Sequence, residues 1–294
     1  MKKADTILLT GGTGFLGSNL IKRLLKEGIN VLVFVRSLSN TQRITDVLDR
    51  ITLYNTDDLE KPFKDHEIDT IIHCATNYGR KDEDPISMLE ANLTLPLRLL
   101  QLGEKHQVPC FINTDTVLDK GVNLYSLSKS QFKDWLKVYS SKLTCVNIAL
   151  EHFYGPNDDR SKFTTNIIRS ILSNAEKIDM TGGEQKRDFI YIDDVVEAFV
   201  KIFKHCSASK NGLYSYEIGT CSNIKIKDFV SLVKKIANND TTKLNFGALP
   251  YRKNEVMDSK VDISAIKGLG WEPKYSLEKG LKKTIETEKG SYFQ

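Results

Sequence analysis

A short apolar run, Thr6 to Thr10, opens directly into Gly11-Gly12-Thr13-Gly14-Phe15-Leu16-Gly17, and an amphipathic stretch follows at once. Gly11, Gly14 and Gly17 give the spacing G-x-x-G-x-x-G between a strand and a helix. Glycine lets the backbone turn tightly and approach an anion closely, and a helix starting near Phe15 aims unpaired N–H groups at it. A pyrophosphate suits that cradle. Its expected contacts are Gly11, Thr13, Gly14, Phe15, Leu16 and Gly17.

The stretch that follows repeats the strand and helix alternation. β-branched runs at Asn30–Val35, Ile51–Asn55, Thr70–Ala75, Cys110–Thr114 and Thr144–Leu150 read as strands apolar on both faces. Helical periodicity covers Gly17–Glu27, Pro85–Lys105 and Tyr125–Ser140. This predicts an α/β fold: a doubly wound parallel sheet of the Rossmann kind over residues 1–155. A smaller α/β substrate lobe is expected over 156–294, with segments near 186–200 and 213–230 returning to the first domain.

Composition narrows the function classes. The chain has 294 residues, 40% hydrophobic and 27% charged, which is ordinary for a globular protein and long enough for a large core. A net charge of +4 spread along the chain gives no patch for nucleic acid. Cys74, Cys110, Cys145, Cys206 and Cys221 are odd in number and lack metal-ligand spacing, so they read as reduced thiols with no metal. Met1-Lys2-Lys3 precedes an apolar run too short for a signal peptide or a membrane span. A cytoplasmic protein with no membrane partner is expected.

The end of the second strand bears on which nicotinamide dinucleotide binds. Enzymes using NAD usually place an acid there for the ribose hydroxyl. Here Val35 is followed by Arg36 and Ser37, with Arg43 beyond, a set suited to a 2′-phosphate. NADPH is the expected cofactor, with NADH as the alternative. Asp58 and Leu59, then Cys74, Ala75 and Thr76, follow the third and fourth strands, where adenine and ribose would lie.

Tyr125 and Lys129 stand four residues apart, hence on one helix face. Reducing a carbonyl requires a proton for the developing alkoxide, and an ammonium makes a phenol usable as its donor near neutral pH. A hydroxyl should complete the set. Counting along the strand from Phe111 favours Thr116, whereas matching Thr-Asp-x-Val to related strand ends favours Thr114. Asp115 between them reads as an acid or base, or as a turn residue bonding local backbone.

The motifs TGGTGFLG, YSLSK, HFYGP and QKRDFIYIDDVV together resemble the extended short-chain dehydrogenase/reductases of the epimerase/dehydratase kind, which act on nucleotide-activated sugars. Within that group HCATNYG, FINTDT, LEHFYGPND and FGALPYRKNEVM look most like the CDP-abequose and CDP-paratose synthases. That resemblance implies reduction, with NADPH, of the 4-keto group of a CDP- or dTDP-linked 6-deoxy or 3,6-dideoxyhexose for surface polysaccharide. It makes Tyr125 the proton donor, Lys129 its partner, and Thr116 or Thr114 the hydroxyl that orients the carbonyl. It also implies substrate contacts at Asn77, Tyr78, Arg80, His152, Asn166, Arg187 and Arg252, and a homodimer through the helices at Pro85–Lys105 and Tyr125–Ser140. Dehydratase relatives carry Thr-Asp-Glu where this chain has Thr114-Asp115-Thr116, which disfavours dehydration. Two other readings stand beside this one: an epimerase that keeps NAD bound, and a catalytically silent nicotinamide or nucleotide sensor.

Overall fold

The structure, a computed structural model, describes residues 4–79, 84–206 and 209–292. Arg80 and the opening Met1-Lys2-Lys3 lie outside the described residues. In chain order the strands are β1 (Thr6–Thr10), β2 (Asn30–Val35), β3 (Thr52–Asn55), β4 (Thr70–His73), β5 (Cys110–Thr116), β6 (Thr144–Leu150), β7 (His152–Tyr154), β8 (Lys177–Met180), β9 (Lys186–Tyr191), β10 (Gly212–Ile218), β11 (Asn223–Lys225) and β12 (Lys243–Phe246). The helices are α1 (Phe15–Lys26), α2 (Lys61–Asp65), α3 (Pro85–Leu89), α4 (Leu95–Lys105), α5 (Leu124–Tyr139), α6 (Phe163–Leu172), α7 (Ile192–Cys206), α8 (Ile226–Ile236), α9 (Ser264–Lys267) and α10 (Leu277–Tyr292).

The chain forms two compact units, Met1–Leu150 with Val196–Glu217 and Ala265–Trp271, and Glu151–Val195 with Ile218–Ser264 and Glu272–Gln294. The segments set apart above as returns, 186–200 and 213–230, each run across a boundary between these units.

A seven-stranded sheet in the order β10-β6-β5-β4-β1-β2-β3 organises the first unit, and each pairing from β3 to β6 is parallel. This is the doubly wound arrangement: the chain starts in the middle, builds outward to β3, then returns to lay β4 on the other side of β1. That reversal leaves a crevice at the carboxyl ends of β1 and β4. β1 reads Thr-Ile-Leu-Leu-Thr and is buried at every position, as a strand covered on both faces must be. Leu8, Leu32, Ile71, Phe111, Phe132 and Leu136 fall in one buried cluster. Full burial of side chains this size contributes roughly 1.5–3 kcal/mol each, enough to fix the register of the strands that carry the site.

The helix expected over Pro85–Lys105 is continuous but contains a π turn at Glu90–Thr94. Pro96 explains it: its ring offers no N–H and crowds the carbonyl four residues back, so the turn ahead of it widens. That turn carries Asn92, which is fully buried. Helix α5 starts at a capping box in which the Asn123 side chain accepts from Ser126 N at 2.9 Å and Ser126 Oγ accepts from Asn123 N at 3.2 Å. The cap sets where the helix begins and hence where Tyr125 sits.

In the second unit β9 pairs antiparallel with β11 and parallel with β7, while β8 and β12 form a separate parallel pair. No helix among the described residues is long and apolar enough to cross a membrane. All five cysteines are free, and no cluster of metal-ligating residues occurs among the described residues.

Candidate active site

The glycine turn lies between β1 and α1, and its glycines have different reasons to be glycine. Gly11 has φ +70°, and a Cβ there would stand 2.5 Å from Ala75 N, so it lets β1 and the segment after β4 meet. A Cβ on Gly17 would stand 2.2 Å from the Gly11 carbonyl oxygen. Gly14 differs, because it is exposed and its Cβ would meet one atom only, Gly11 O at 3.1 Å. That contact is with a backbone oxygen and is tighter than ordinary van der Waals packing, so Gly14 is the least crowded of the three but not free of constraint. Helix α1 opens there with no side-chain cap and no acidic residue in its first turn. The positive end of the helix dipole is thus unneutralised, and the residues present fit a pyrophosphate.

Around this turn the other expected cofactor residues are distributed as follows. Thr13 is half-buried, and Phe15 and Leu16 are buried. Arg36 and Ser37 are exposed just past β2, Ser37 Oγ accepting from Asn55 Nδ2 at 3.1 Å, and Arg43 lies in a 3-10 stretch, Gln42–Arg50. Asp58 uses one carboxylate oxygen on Glu60 N and Lys61 N, both at 3.2 Å, so it caps the entry to α2. Leu59 packs against the apolar cluster of the first unit. The Cys74 and Ala75 N–H groups donate to Thr10 O and Thr10 Oγ1, each at 3.2 Å, which ties the segment after β4 to β1.

Strand β5 runs two residues further than Thr114, where the sequence pattern ended it, and this extension separates the two threonines. β4 ends at His73 opposite Asn113, so Thr114 sits just beyond the last pair and donates its hydroxyl to the His73 carbonyl at 3.0 Å. Thr116 lies on the same face, past the end of β4, where its hydroxyl accepts from Leu118 N at 3.3 Å. Asp115 points the other way. It accepts from Thr116 N and from Asn147 Nδ2, both at 2.8 Å, and Asn147 accepts in turn from Asn113 Nδ2 at 2.8 Å. Both carboxylate oxygens are thus engaged inside the sheet.

Burial, with smaller contributions from Tyr78 and Asp115, raises the Tyr125 phenol well above its ordinary value, while hydrogen bonds from Thr116 and Thr76 oppose the rise. The Tyr78 ring stands 5.1 Å from the Tyr125 ring. Lys129 is 1% exposed and donates to the Thr114 carbonyl at 2.8 Å. Burial lowers its pKa to about 8, against an opposing pull from Asp115. His73 is also fully buried and held neutral, chiefly by desolvation and then by the Lys129 charge.

Asn92 escaped the sequence reading. Its side chain accepts from Asn77 N at 2.8 Å and donates to Asn77 O at 2.8 Å and to Ser128 Oγ at 3.0 Å. It clamps the segment after β4 to α5. A polar residue four positions before a proline, in an otherwise apolar helical stretch, was the available signal. Asn77 Oδ1 accepts from Gly79 N at 2.8 Å, closing a local turn.

In the second unit the expected substrate residues already have protein partners or face solvent. Arg187 bonds to the Glu255 carboxylate, to the Val256 carbonyl and, at 2.7 Å, to the Lys186 carbonyl. His152 Nδ1 lies 3.1 Å from Glu151 Oε2, and Ser259 donates to the other oxygen of that buried carboxylate. Asn166 on α6 and Arg252 are exposed. Asp188, beside Arg187, is fully buried and accepts from Thr220 N at 2.8 Å, Thr220 Oγ1 at 2.6 Å and Cys221 N at 2.7 Å. Its role is to shape that turn.

Residues 7–219 match the NAD dependent epimerase/dehydratase family. The CDP-abequose synthase of Salmonella muenchen is 36% identical over 95% of this chain and 96% of its own length. The UDP-glucose 4-epimerase of Thermotoga maritima, solved with UDP-glucose, superposes with a TM-score of 0.87 at 26% identity, covering 98% of this chain and 99% of that one. A UDP-glucose 4-epimerase of Thermus thermophilus, solved with NAD, shares the fold with a TM-score of 0.83 at 22% identity, covering 97% and 99%.

Proposed function

The chain belongs to the NAD dependent epimerase/dehydratase family, and from that premise we propose that it reduces the 4-keto group of a nucleotide-linked 6-deoxy or 3,6-dideoxyhexose with NADPH. The observation that carries this reading is the end of β5. Thr116, on the strand face opposite Asp115, opposes the rise in the Tyr125 pKa, while Asp115, the acid a dehydratase would use, is bound through both oxygens by Thr116 N and Asn147. The site can hand over a proton and orient a carbonyl, but it lacks the acid and base pair that eliminates water.

A bound nicotinamide would supply the hydride. Gly11, Thr13, Gly14, Phe15, Leu16 and Gly17 would hold its pyrophosphate, Arg36, Ser37 and Arg43 a 2′-phosphate, and Lys129 its ribose. Tyr125 donates its hydroxyl proton to the substrate oxygen as negative charge develops there, and Thr116 orients that oxygen. Because burial keeps the phenol protonated through neutral pH, it acts as an acid in the forward direction. Lys129 spends one of its three N–H donors on the Thr114 carbonyl, which leaves others for the ribose, and it acts on Tyr125 through its charge.

Asn77, Tyr78, His152, Asn166, Arg187 and Arg252 are proposed as sugar-nucleotide contacts from the family resemblance, Arg187 exchanging Glu255 for the diphosphate. A homodimer through α3, α4 and α5 is supported by the exposed apolar side chains of Ile86, Leu124, Leu127, Trp135 and Val138. Free thiols at all five cysteines fit a reducing, cytoplasmic setting.

The epimerase reading shares Tyr125 and Lys129 and is favoured by the likeness to the Thermotoga enzyme. Val35-Arg36-Ser37, with no carboxylate after β2, speaks for an exchangeable NADPH instead. A panel of CDP-, dTDP- and GDP-linked 4-keto sugars assayed with NADPH and NADH tests the proposal. The account expects NADPH consumption with a CDP- or dTDP-linked member, and no oxidation with any of them would sink it together with its choice of substrate.

A further inference from the structure

Beneath α5, strands β5 and β6 carry a buried row of polar side chains that ends on Asp115. Phe111, Asn113 and Asp115 alternate onto one face of the sheet, and α5 packs there, with the Phe132 ring 6.0 Å from the Phe111 ring. Asn113 and Asn147 are register partners on β5 and β6, and both are buried. Asn113 Nδ2 donates to Asn147 Oδ1, and Asn147 Nδ2 donates to Asp115 Oδ2, each at 2.8 Å. Thr116 N donates to the other Asp115 oxygen at 2.8 Å.

The row has one direction. A carboxylate only accepts, so Asn147 must present its amide nitrogen to Asp115 and its oxygen to Asn113, which turns Asn113 Oδ1 to the far end of the row. That oxygen has no hydrogen-bond partner among the described residues. Both Asp115 oxygens are thus supplied with donors while the other end of the row goes without.

Lys129 comes to this carboxylate from α5. It lies one turn before Phe132 on the same helix face, and α5 runs back against β5, so that turn falls nearer the end of the strand. Its Nζ donates at 2.8 Å to the Thr114 carbonyl, which belongs to the peptide whose nitrogen is that of Asp115. Ammonium and carboxylate are therefore buried at one peptide of β5. The other titratable groups facing Lys129 are neutral: His73 at the end of β4, Cys74 just after it, pushed up to about 12 by burial, and Tyr125 on its own helix. From β6 comes the neutral amide of Asn147. Burial lowers Lys129, and Asp115 opposes that lowering.

We propose that Asp115 is the counter-charge that keeps Lys129 an ammonium beside Tyr125, and that Asn147, backed by Asn113, is the positioning residue that holds it. This rests on reading Tyr125 and Lys129 as the proton-handling pair. Asp115, which the sequence offered as acid, base or turn former, thus serves as a fixed charge, and no bond to it changes during turnover.

The test uses Asp115→Asn, which keeps the shape and removes the charge. Asn147 and Asn113 can then both turn over, so both side-chain bonds persist in the reversed direction. Asn147→Val removes the donor and leaves the charge. In protein labelled at the lysine ε carbon, the Lys129 resonance is identified by its loss in Lys129→Met. It should titrate near pH 8 in wild type and about one pH unit or more lower in Asp115→Asn. Asn147→Val should move it the same way by less. With a keto sugar and NADPH, the alkaline fall of kcat should move to lower pH in the same order, and any change at Tyr125 on loss of that charge has the same sign. A Lys129 titration that stays at its wild-type pH in Asp115→Asn overturns the counter-charge, and one that stays there in Asn147→Val overturns the positioning role. Should Asp115→Asn fail to fold, an unmoved titration in Asn147→Val overturns the whole proposal. A titration that moves while wild type reduces none of the keto sugars supports the pairing and overturns the substrate reading alone.

Discussion

In the first unit Thr116 and Thr76 both oppose the rise in the pKa of one buried phenol, and the buried Lys129 charge is held at the end of β5 by the Thr114 carbonyl. In the second unit the proposed substrate cation Arg187 is bound to Glu255, and His152 faces Glu151. The first set is arranged before any ligand arrives, whereas the second must share or exchange a carboxylate to hold a phosphate. Variants in the first unit should therefore change turnover, and variants in the second should change substrate affinity. The division follows from where each unit places its uncompensated charge.

Replacing Tyr125 with Phe should give the largest effect. Turnover is expected to fall by about 10³-fold, in the range for a lost general acid, while NADPH affinity by fluorescence titration stays near wild type. A parallel loss of cofactor binding would mean that Tyr125 supports the fold of the site rather than its chemistry. Arg187→Ala comes next, raising KM about tenfold or more with kcat little changed. A kcat that fell instead would erase the contrast between the units.

The two threonines provide a comparison within β5. Thr116→Val should lower kcat and leave thermal stability near wild type. Thr114→Val, which removes the bond to the His73 carbonyl, should cost about 1 kcal/mol of stability by denaturant titration and change kcat less. The reverse pattern would exchange their roles.

The smallest expected change is in stability against pH, read on Lys129→Met without nucleotide and apart from any effect on turnover. The folded pKa of Lys129 is about 8 and its ordinary value 10.5, so between these pH values the unfolded chain holds more protons than the folded one. Wild type should gain stability as pH rises through that window, because the cost of the buried charge, full below it, is relieved. The melting temperature of Lys129→Met relative to wild type should accordingly fall as pH rises from 8 to 10.5. A flat difference would mean that Lys129 is not buried as a charge.

What the sequence made legible was local. The strand, glycine turn and helix at Thr6–Lys26 and the Tyr125 and Lys129 pair each lie within a few turns of chain, where spacing alone fixes which groups share a face. The ends of elements were less so: Thr114 and Thr116 could be told apart only once β5 was seen to outrun β4. Asn92 depends on a π turn that a proline imposes and on partners in two other segments. Arg187 meets Glu255, and Glu151 meets Ser259, across long stretches of chain, and nothing local marks such partners. Arg187 and His152, which read as open ligands for phosphate, thus had half of their chemistry out of sight.

The most direct test of the central claim follows the transferred hydrogen. Purified protein is given NADPH carrying deuterium on its reactive carbon and a CDP- or dTDP-linked 4-keto-6-deoxysugar, and the product is analysed by mass spectrometry and NMR. The account predicts a nucleotide-linked alcohol with one deuterium at carbon 4 and a matching loss of NADPH. A product with no deuterium, or a sugar inverted at carbon 4 while the supplied NADPH persists, would contradict it.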